Sequence, residues 1–432
     1  MTSRRELLRK TALTGLVAGA APALALGRGG HARAQAETVD LSFVGPEQPS
    51  AMEPVIAAFQ AANPGIVVTY ESVPFAQLND ILQTRLGAGD PTPDVFTADQ
   101  PRIPALASRG FLLDLTEQVG EIDDLVLPSS VEASTVDGRL YALPVSTSTQ
   151  LLYYNRALLE AAGLTPPLPD PEARLTWEQL AADAQAAQEA GAEWGVMFDQ
   201  VSRVYQFLPL PESAGGGNGV AGDDALEPAI ANEGWVRAAD FYGMLFADGL
   251  APRGVAPEQT PDLFANGEVA YFVGGPWWIP LFAGTEGLDY GVAPHPFFEG
   301  GEPVTPTGAW SWGINPNSQH PEEALAFIQF ATLEEEGALE TASGIAIPPA
   351  NLAALDRYLA QESFTTENIA GVGDLIRYEL ENTAVIRPRT VGFIQFEEIV
   401  GQALEDIRNG APAQATLEGA AQQLEAAWSR LG

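Results

Sequence analysis

Short apolar runs alternate with amphipathic segments along the chain, which is the pattern of strands followed by helices. Residues 41–44 and 66–70 predict two buried strands, and apolar positions at helical spacing over residues 52–59 predict a helix between them. Ser50 is the candidate N-cap of that helix. A second helix over residues 78–87 and a third strand over residues 94–98 follow. This β-α-β-α-β order predicts an α/β lobe with a mostly parallel sheet between two layers of helices.

The middle and the end of the chain repeat this pattern. Further strands are predicted at residues 140–145, 150–155, 194–198 and 269–273. A capping box opens a helix at Thr176, where Gln179 stands three residues later. Apolar stripes at helical spacing predict three more helices, around Trp235, Phe327 and Trp428. The glycine-rich segment 214–222 predicts a flexible loop.

Composition and charge exclude several classes of function. The 432 residues suffice for two lobes, and 57 acidic against 21 basic residues give a formal net charge of −36. Nucleic acids and anionic membranes are therefore poor partners. The chain has no cysteine, which excludes disulfides, thiolate metal sites and a lipid-anchored export signal. With three histidines and a single lysine, Lys10, the sequence predicts no metal centre, no P-loop and no cofactor.

Residues 1–36 have the pattern of an export signal. Arg4 and Arg5 precede a mildly apolar stretch over residues 13–27, and residues 34–36 supply a small-x-small cleavage pattern. The arrangement resembles a twin-arginine signal, which predicts cleavage near Ala36. An N-terminal membrane anchor is the alternative, although the apolar stretch has about fifteen residues and a bilayer span needs ~20.

Several sequence blocks, taken in order, carry a family resemblance. They include Gly-Arg-Leu-Tyr-Ala-Leu-Pro at 138–144, Gly-Pro-Trp at 275–277, Gly-Ala-Trp-Ser-Trp-Gly-Ile-Asn at 308–315 and Pro-Glu-Glu-Ala at 321–324. In these blocks the chain resembles the extracellular solute-binding proteins of the sugar-type (family 1) ABC importers, the family that includes the maltodextrin-binding proteins. The resemblance covers about residues 40–408.

The resemblance implies a type II periplasmic-binding-protein fold. In that fold, two three-layer α/β lobes are joined by hinge segments, and the ligand lies in the cleft between them. Matching the blocks places lobe one at residues 37–146 plus 311–360, and lobe two at residues 147–310 plus 361–432. Closure of the hinge on a ligand is a known motion of such two-lobe proteins.

The resemblance also implies which residues contact the ligand. Aromatic side chains cover the C–H faces of a sugar, and planar polar groups bond its hydroxyls. The expected ligand-binding residues are Glu47, Asp99, Gln100, Arg102, Ser146, Ser148, Tyr205, Trp277, Trp278, Trp310 and Arg389. For each of them a structural role is the alternative: core packing for the tryptophans, hinge hydrogen bonds for the serines, and surface charge or ion pairing for the charged side chains.

These observations predict a periplasmic, monomeric substrate-binding component of an ABC transporter. It is expected to capture a mono-, di- or oligosaccharide, or a derivative, and to deliver it to permease subunits in the inner membrane. A secreted carbohydrate-active enzyme is the main alternative, and a cell-surface adhesion protein is a third. The abundance of acidic residues makes coincidental carboxylate pairs certain, so such pairs are no sign of a glycosidase. The sequence does not identify the sugar.

Overall fold

The computed structural model describes residues 38–201 and 203–431. The predicted export signal, residues 1–36, lies outside the described residues. Most of the predicted strands and helices are confirmed within them. The first helix, however, begins at Pro49 after Gln48 and has no side-chain cap, so the prediction of Ser50 as its N-cap is wrong. Thr176 does cap its helix, because its hydroxyl accepts a hydrogen bond from the Gln179 amide.

A mixed sheet of five strands, counted within the described residues, forms the first lobe. Its strands, in sheet order, are β2 (Ile66–Ser72), β1 (Val39–Gly45), β3 (Val95–Asp99), β14 (Trp310–Ile314) and β6 (Leu143–Pro144). Strands β1, β2 and β3 run parallel, whereas β14 is antiparallel to both of its neighbours. A strand from late in the chain therefore completes a sheet that the early chain begins.

A second sheet, with four strands among the described residues, forms the second lobe. Its strands, in sheet order, are β12 (Tyr290–Pro294), β7 (Leu151–Asn155), β11 (Val269–Gly274) and β8 (Trp194–Phe198). Strands β11 and β8 are parallel, and β7 is antiparallel to β11 and β12. Three short ladders pair β4 (Thr135–Val136) with β5 (Arg139–Leu140), β9 (Val220–Ala221) with β10 (Glu227–Pro228), and β13 (Thr305–Thr307) with β15 (Ala384–Ile386).

Helices cover both faces of each sheet. Those between the strands of the first lobe and around its crossings are α1 (Pro49–Ala62), α2 (Phe75–Gly87), α3 (Ile103–Ser108), α4 (Thr116–Val119), α5 (Pro128–Ala133), α13 (Pro321–Leu333) and α14 (Glu335–Ile345). The others are α6 (Arg156–Ala161), α7 (Trp177–Glu189), α8 (Val204–Phe207), α9 (Pro209–Ser213), α10 (Glu233–Ala247), α11 (Thr260–Ala265), α12 (Ile279–Ala283), α15 (Leu352–Leu359), α16 (Val372–Asn382), α17 (Phe393–Arg408) and α18 (Ala413–Trp428).

Alternating side chains of the second sheet supply two separate cores. Tyr154 and Phe198 point to the face covered by α7, α10, α17 and α18, whereas Tyr153 and Met197 point to the opposite face. Because both faces are buried, the strands read as continuous apolar runs, as expected for a sheet between two helical layers. The first sheet is divided in the same way between two apolar clusters.

The chain crosses between the two sheets after β6, before β14 and again after α14. Leu355 and Tyr358 of α15 pack in the core of the second sheet, whereas Ala350 packs in the core of the first. This packing differs from the predicted boundary at residue 360. We therefore propose that the third crossing lies near Asn351, and the other lobe boundaries stay a prediction.

Within the described part of the chain, no helix is long and apolar enough to cross a membrane. No group of three or more histidine, aspartate or glutamate side chains in those residues could hold a metal ion.

Candidate functional site

A cavity of about 440 Å³ lies between the two lobes, at the carboxyl ends of β1, β3, β8 and β11. This is the edge of an α/β sheet where ligands usually bind. Both lobes contribute to its lining, which consists of Pro46, Glu47, Phe75, Asp99, Ser148, Gln200, Arg203, Tyr205, Trp277, Trp278, Gly308, Ala309, Trp310, Ile345, Ala346, Ile347, Arg387 and Glu397. We call this cavity the cleft.

The wall formed by the first lobe combines aromatic rings with a buried carboxyl group. Trp310 opens β14 opposite Asp99 of β3, and its ring meets that of Phe75 edge-on at 5.5 Å between centroids. Glu47 follows β1 directly, and burial raises the pKa of its carboxyl group to about 7. A group with this pKa is partly protonated at neutral pH and can donate as well as accept a hydrogen bond.

The wall formed by the second lobe contains two tryptophans on a tight turn after β11. A Cβ at Gly275 would come within 2.0 Å of the Trp277 ring, so the glycine allows the indole to fold back over the strand end. The Nε1 of Trp277 donates a hydrogen bond to Asp199 Oδ2 at 3.1 Å. Burial raises the pKa of Asp199 to about 7, although the two tryptophans and Arg203 act to lower it. Trp277 is thus held by a small residue two positions before it and by a hydrogen-bond acceptor that follows β8.

Tyr205 stands beside Trp277, with 6.4 Å between the ring centroids. Its hydroxyl is 2.9 Å from the Ser148 hydroxyl, which donates to the Gly308 carbonyl at 3.1 Å. Ser148 therefore lies in the cleft, where it connects a tyrosine of the second lobe to the segment that enters β14.

Four charged side chains connect the lobes next to these rings. Arg387 donates two hydrogen bonds to Asp99, at 2.5 and 3.1 Å, and both side chains are nearly buried. Burial opposes the charge on Arg387, but Asp99, with smaller contributions from Glu397 and Tyr205, raises the pKa of Arg387 overall. Arg102 donates to Glu397 of α17 at 2.5 Å. The Nε of Arg102 also lies 3.8 Å from Asp99 Oδ2. The four side chains therefore form a row of alternating charges, in the order Arg387, Asp99, Arg102 and Glu397.

Seven of the eleven residues expected to bind ligand come together in the cleft. They are Glu47, Asp99, Ser148, Tyr205, Trp277, Trp278 and Trp310. Their contact with a ligand stays a prediction.

The other four expected residues do not line the cleft. Gln100 is buried and bonds Ser311 and the Ala309 amide, while the Ser146 hydroxyl accepts from the Trp310 amide at 3.3 Å. Arg102 pairs with Glu397 as described, and Arg389 reaches away to Glu132 and the Thr135 carbonyl. Their partners are groups of the protein itself, and their contact with a ligand stays a prediction.

Sequence reasoning missed several residues of the cleft, among them Phe75, Arg203, Arg387 and Glu397. Arg387 belongs to the same Arg-Pro-Arg segment as the predicted Arg389, and both arginines carry the same local signal. Arg203 stands two residues before Tyr205 and could have been found from that neighbour. For Phe75 and Glu397, no local pattern distinguishes them from an ordinary helix start and an ordinary exposed acid.

A sequence model of the family described as "Bacterial extracellular solute-binding protein" matches residues 45–338. The galactooligosaccharide-binding protein of Bacillus subtilis (strain 168) is 27% identical over 299 residues, which cover 67% of this chain and 67% of that protein. The maltodextrin-binding protein MdxE of the same organism is 28% identical over 292 residues, or 65% of this chain and 66% of that protein. The alignments thus span about two thirds of each relative.

Among solved structures, the ABC substrate-binding protein Lmo0181 from Listeria monocytogenes in complex with cycloalternan is similar in fold. It matches with a TM-score of 0.79 at 22% sequence identity, over 91% of this chain and 99% of that chain. The likeness confirms the predicted two-lobe α/β fold.

Proposed function

Because this chain belongs to the bacterial extracellular solute-binding proteins, whose sequence pattern covers residues 45–338, we propose that it captures a sugar and delivers it to an ABC permease. The names of its relatives support a saccharide, since those proteins bind galactooligosaccharides and maltodextrins. The capture itself requires a cleft and a hinge and involves no bond chemistry.

One observation carries the proposal: aromatic rings from both lobes line a single cleft beside hydroxyl and carboxyl groups. Trp310 and Phe75 stand on one wall, and Trp277, Trp278 and Tyr205 on the other. A pyranose has C–H groups on its ring faces and hydroxyls on its rim. Rings on two walls, with Glu47 and the hinge hydroxyls between them, match both parts of that surface.

The export of the protein to the periplasm is part of the same proposal. Arg4 and Arg5 would direct folded export through the twin-arginine route, cleavage near Ala36 would release the protein, and it would act as a monomer in the periplasm. Its partners would be the sugar and the permease subunits of the inner membrane. Replacing both arginines with lysine keeps the charge, and the proposal expects that change to abolish export.

The enzyme alternative would have to use Glu47 or Asp199, whose carboxyl groups have pKa values that burial raises to about 7. Asp99 is held by Arg387 in a two-bond ion pair, so it is not poised as a nucleophile or base. Overnight incubation with oligosaccharides and product analysis test this directly. Any reproducible product formation would favour the secreted carbohydrate-active enzyme.

A ligand screen tests the proposed function. Three tryptophans line the cleft, so that sugar binding should change the intrinsic fluorescence of the protein. A ligand at 100 times its Kd should stabilise the native state by about 2.7 kcal/mol if it does not bind the unfolded chain. The screen uses thermal shift and calorimetry against neutral, amino and acidic mono- and disaccharides. If no sugar in the panel binds, sugar capture is not the function.

A further inference from the structure

Arg203 is a guanidinium group in the cleft that makes no hydrogen bond to any described residue. Its nearest carboxylate oxygen is Glu258 Oε1, 3.9 Å away, on a side chain that is 76% exposed. Its Cζ lies 4.6 Å from the ring centroid of Phe75 on the opposite lobe. Stacking occupies the flat face of a guanidinium but leaves its N–H groups, which point outward in the plane, free to donate. Arg203 is therefore oriented and still has its donors available.

The other charged groups of the cleft are already balanced. Asp99 is paired with Arg387, and Glu397 is paired with Arg102. Glu47 makes no ion pair within the described residues, and burial raises its pKa to about 7. Asp199 lies behind Trp277, and its burial raises its pKa to about 7 as well. Arg203 has only the long ion pair with the exposed Glu258 and a charge interaction with Asp199, and it makes no hydrogen bond to either within the described residues.

A second donor in the cleft also has no partner. The Nε of Arg387 is buried and bonds no group of the described chain, although its two terminal nitrogens bond Asp99. The Arg387 side chain is only 8% exposed. A buried N–H without an acceptor is unfavourable, so an oxygen supplied by a ligand would relieve that cost.

From this arrangement we propose that the captured sugar carries a carboxylate, as a uronate does, and that Arg203 binds it. The inference rests on the proposed function and names the class of sugar for that same cleft. A carboxylate carries one negative charge, which matches one guanidinium. A phosphate dianion would leave a negative surplus in a protein whose formal net charge is already −36. Arg203 thus sets specificity within sugar recognition.

Matched sugar pairs test the inference. The titration calorimetry compares D-glucuronate with D-glucose and D-galacturonate with D-galactose, together with digalacturonate, on the mature protein. We expect at least one uronate to bind at least tenfold more tightly than its neutral counterpart. That preference should shrink as salt is raised, because salt screens a charge pair that is partly exposed.

Two variants identify the residue responsible. Arg203→Gln should lower the affinity for the uronate at least tenfold and change that for the neutral sugar by less than threefold. Arg139→Gln is the control, since it removes the same charge from a hairpin residue that is 64% exposed and outside the cleft. It should leave both affinities unchanged.

The outcomes separate the two proposals. If neutral sugars bind as tightly as uronates, or if Arg203→Gln weakens both alike, the inference is overturned while sugar capture stands. If Arg139→Gln reproduces the effect of Arg203→Gln, general charge and not the cleft is responsible, and the assignment fails. If no sugar binds at all, the proposed function fails and this inference fails with it.

Discussion

At the scale of single residues, Trp277 has the most defined setting in the cleft. Its indole is half-buried, folds over Gly275 and bonds Asp199, so its plane is fixed before a ligand arrives. A rigid aromatic plate costs little conformational entropy on binding, and central aromatic residues often dominate binding energy.

We expect Trp277→Ala to weaken binding of the cognate sugar by roughly 2 kcal/mol or more. That corresponds to about 25-fold in Kd. Trp277→Phe should lose less, because part of the plate remains. Calorimetric titrations, run beside melting curves of the unliganded variants, check both changes. Unchanged affinity in a well-folded Trp277→Ala variant would contradict the stacking role and transfer it to Trp310.

Asp199 allows a prediction about pH. In the folded protein its pKa is about 7, above the value near 4 of an unfolded aspartate. Ionisation of Asp199 therefore lowers the free energy of unfolding as the pH rises from about 4 to about 7. Asp199→Asn removes the charge. We expect the variant to melt at a higher temperature than the parent at pH 8, and the difference should shrink toward pH 4. The gain in the free energy of unfolding should not exceed about 4 kcal/mol.

Melting curves of the two proteins over that pH range check the sign. A variant that melts lower than the parent at pH 8 would show that Trp277, Thr260 and Arg203 stabilise the ionised carboxylate more than burial opposes it.

At the scale of elements, the turn after β3 and helix α17 meet across the cleft. Arg102 and Glu397 join them by an ion pair in which the side chains are only 16% and 25% exposed. A charge-assisted hydrogen bond contributes about 1.5–3 kcal/mol. Because one partner lies on each lobe, we expect this pair to favour closure of the lobes.

Arg102→Gln should therefore lower the apparent affinity for the sugar about three- to tenfold, since less of the free protein would be closed. Calorimetry gives the affinity, and small-angle scattering should show a larger radius of gyration for the unliganded variant. Arg377→Gln is the control, because it removes a pair with Asp356 outside the cleft. Equal effects of the two variants would rule out a role in closure.

At the scale of the whole molecule, charge is the dominant feature. The chain has 57 acidic and 21 basic residues, so most carboxylates have no cationic partner. Their mutual repulsion opposes the compact state. The melting temperature should rise between 10 mM and 1 M sodium chloride, where the Debye length falls from about 30 to about 3 Å. A flat or falling melting temperature would show that the acids are too widely spaced to repel.

How far local sequence determines this molecule can be seen from particular elements. The helix of Trp235 and the strand of Tyr271 were predictable, because burial of one helix face leaves a periodic pattern and burial of both strand faces leaves a continuous apolar run. Trp277 could be placed from the Gly-Gly-Pro segment that precedes it. Most of the segment 214–222 is a loop, as its glycines predicted, and its flexibility stays a prediction. What the sequence did not show is that part of it is anchored, since Trp235 and Asn232 donate to its carbonyls and a Cβ at Gly216 would clash with Trp235.

The sequence by itself determined the periodic elements, the strand ends and the absence of cysteine chemistry, because each of these depends on neighbours within a few residues. Only the tertiary structure decided which charges meet. Asp99 and Arg387 are 288 residues apart in the chain, yet they form the nearly buried pair beside the cleft. Arg387 and Arg389 look alike locally, and only the fold directs one to the cleft and the other to Glu132. Pairing between distant residues leaves no local pattern, so it emerges only when the two lobes are assembled.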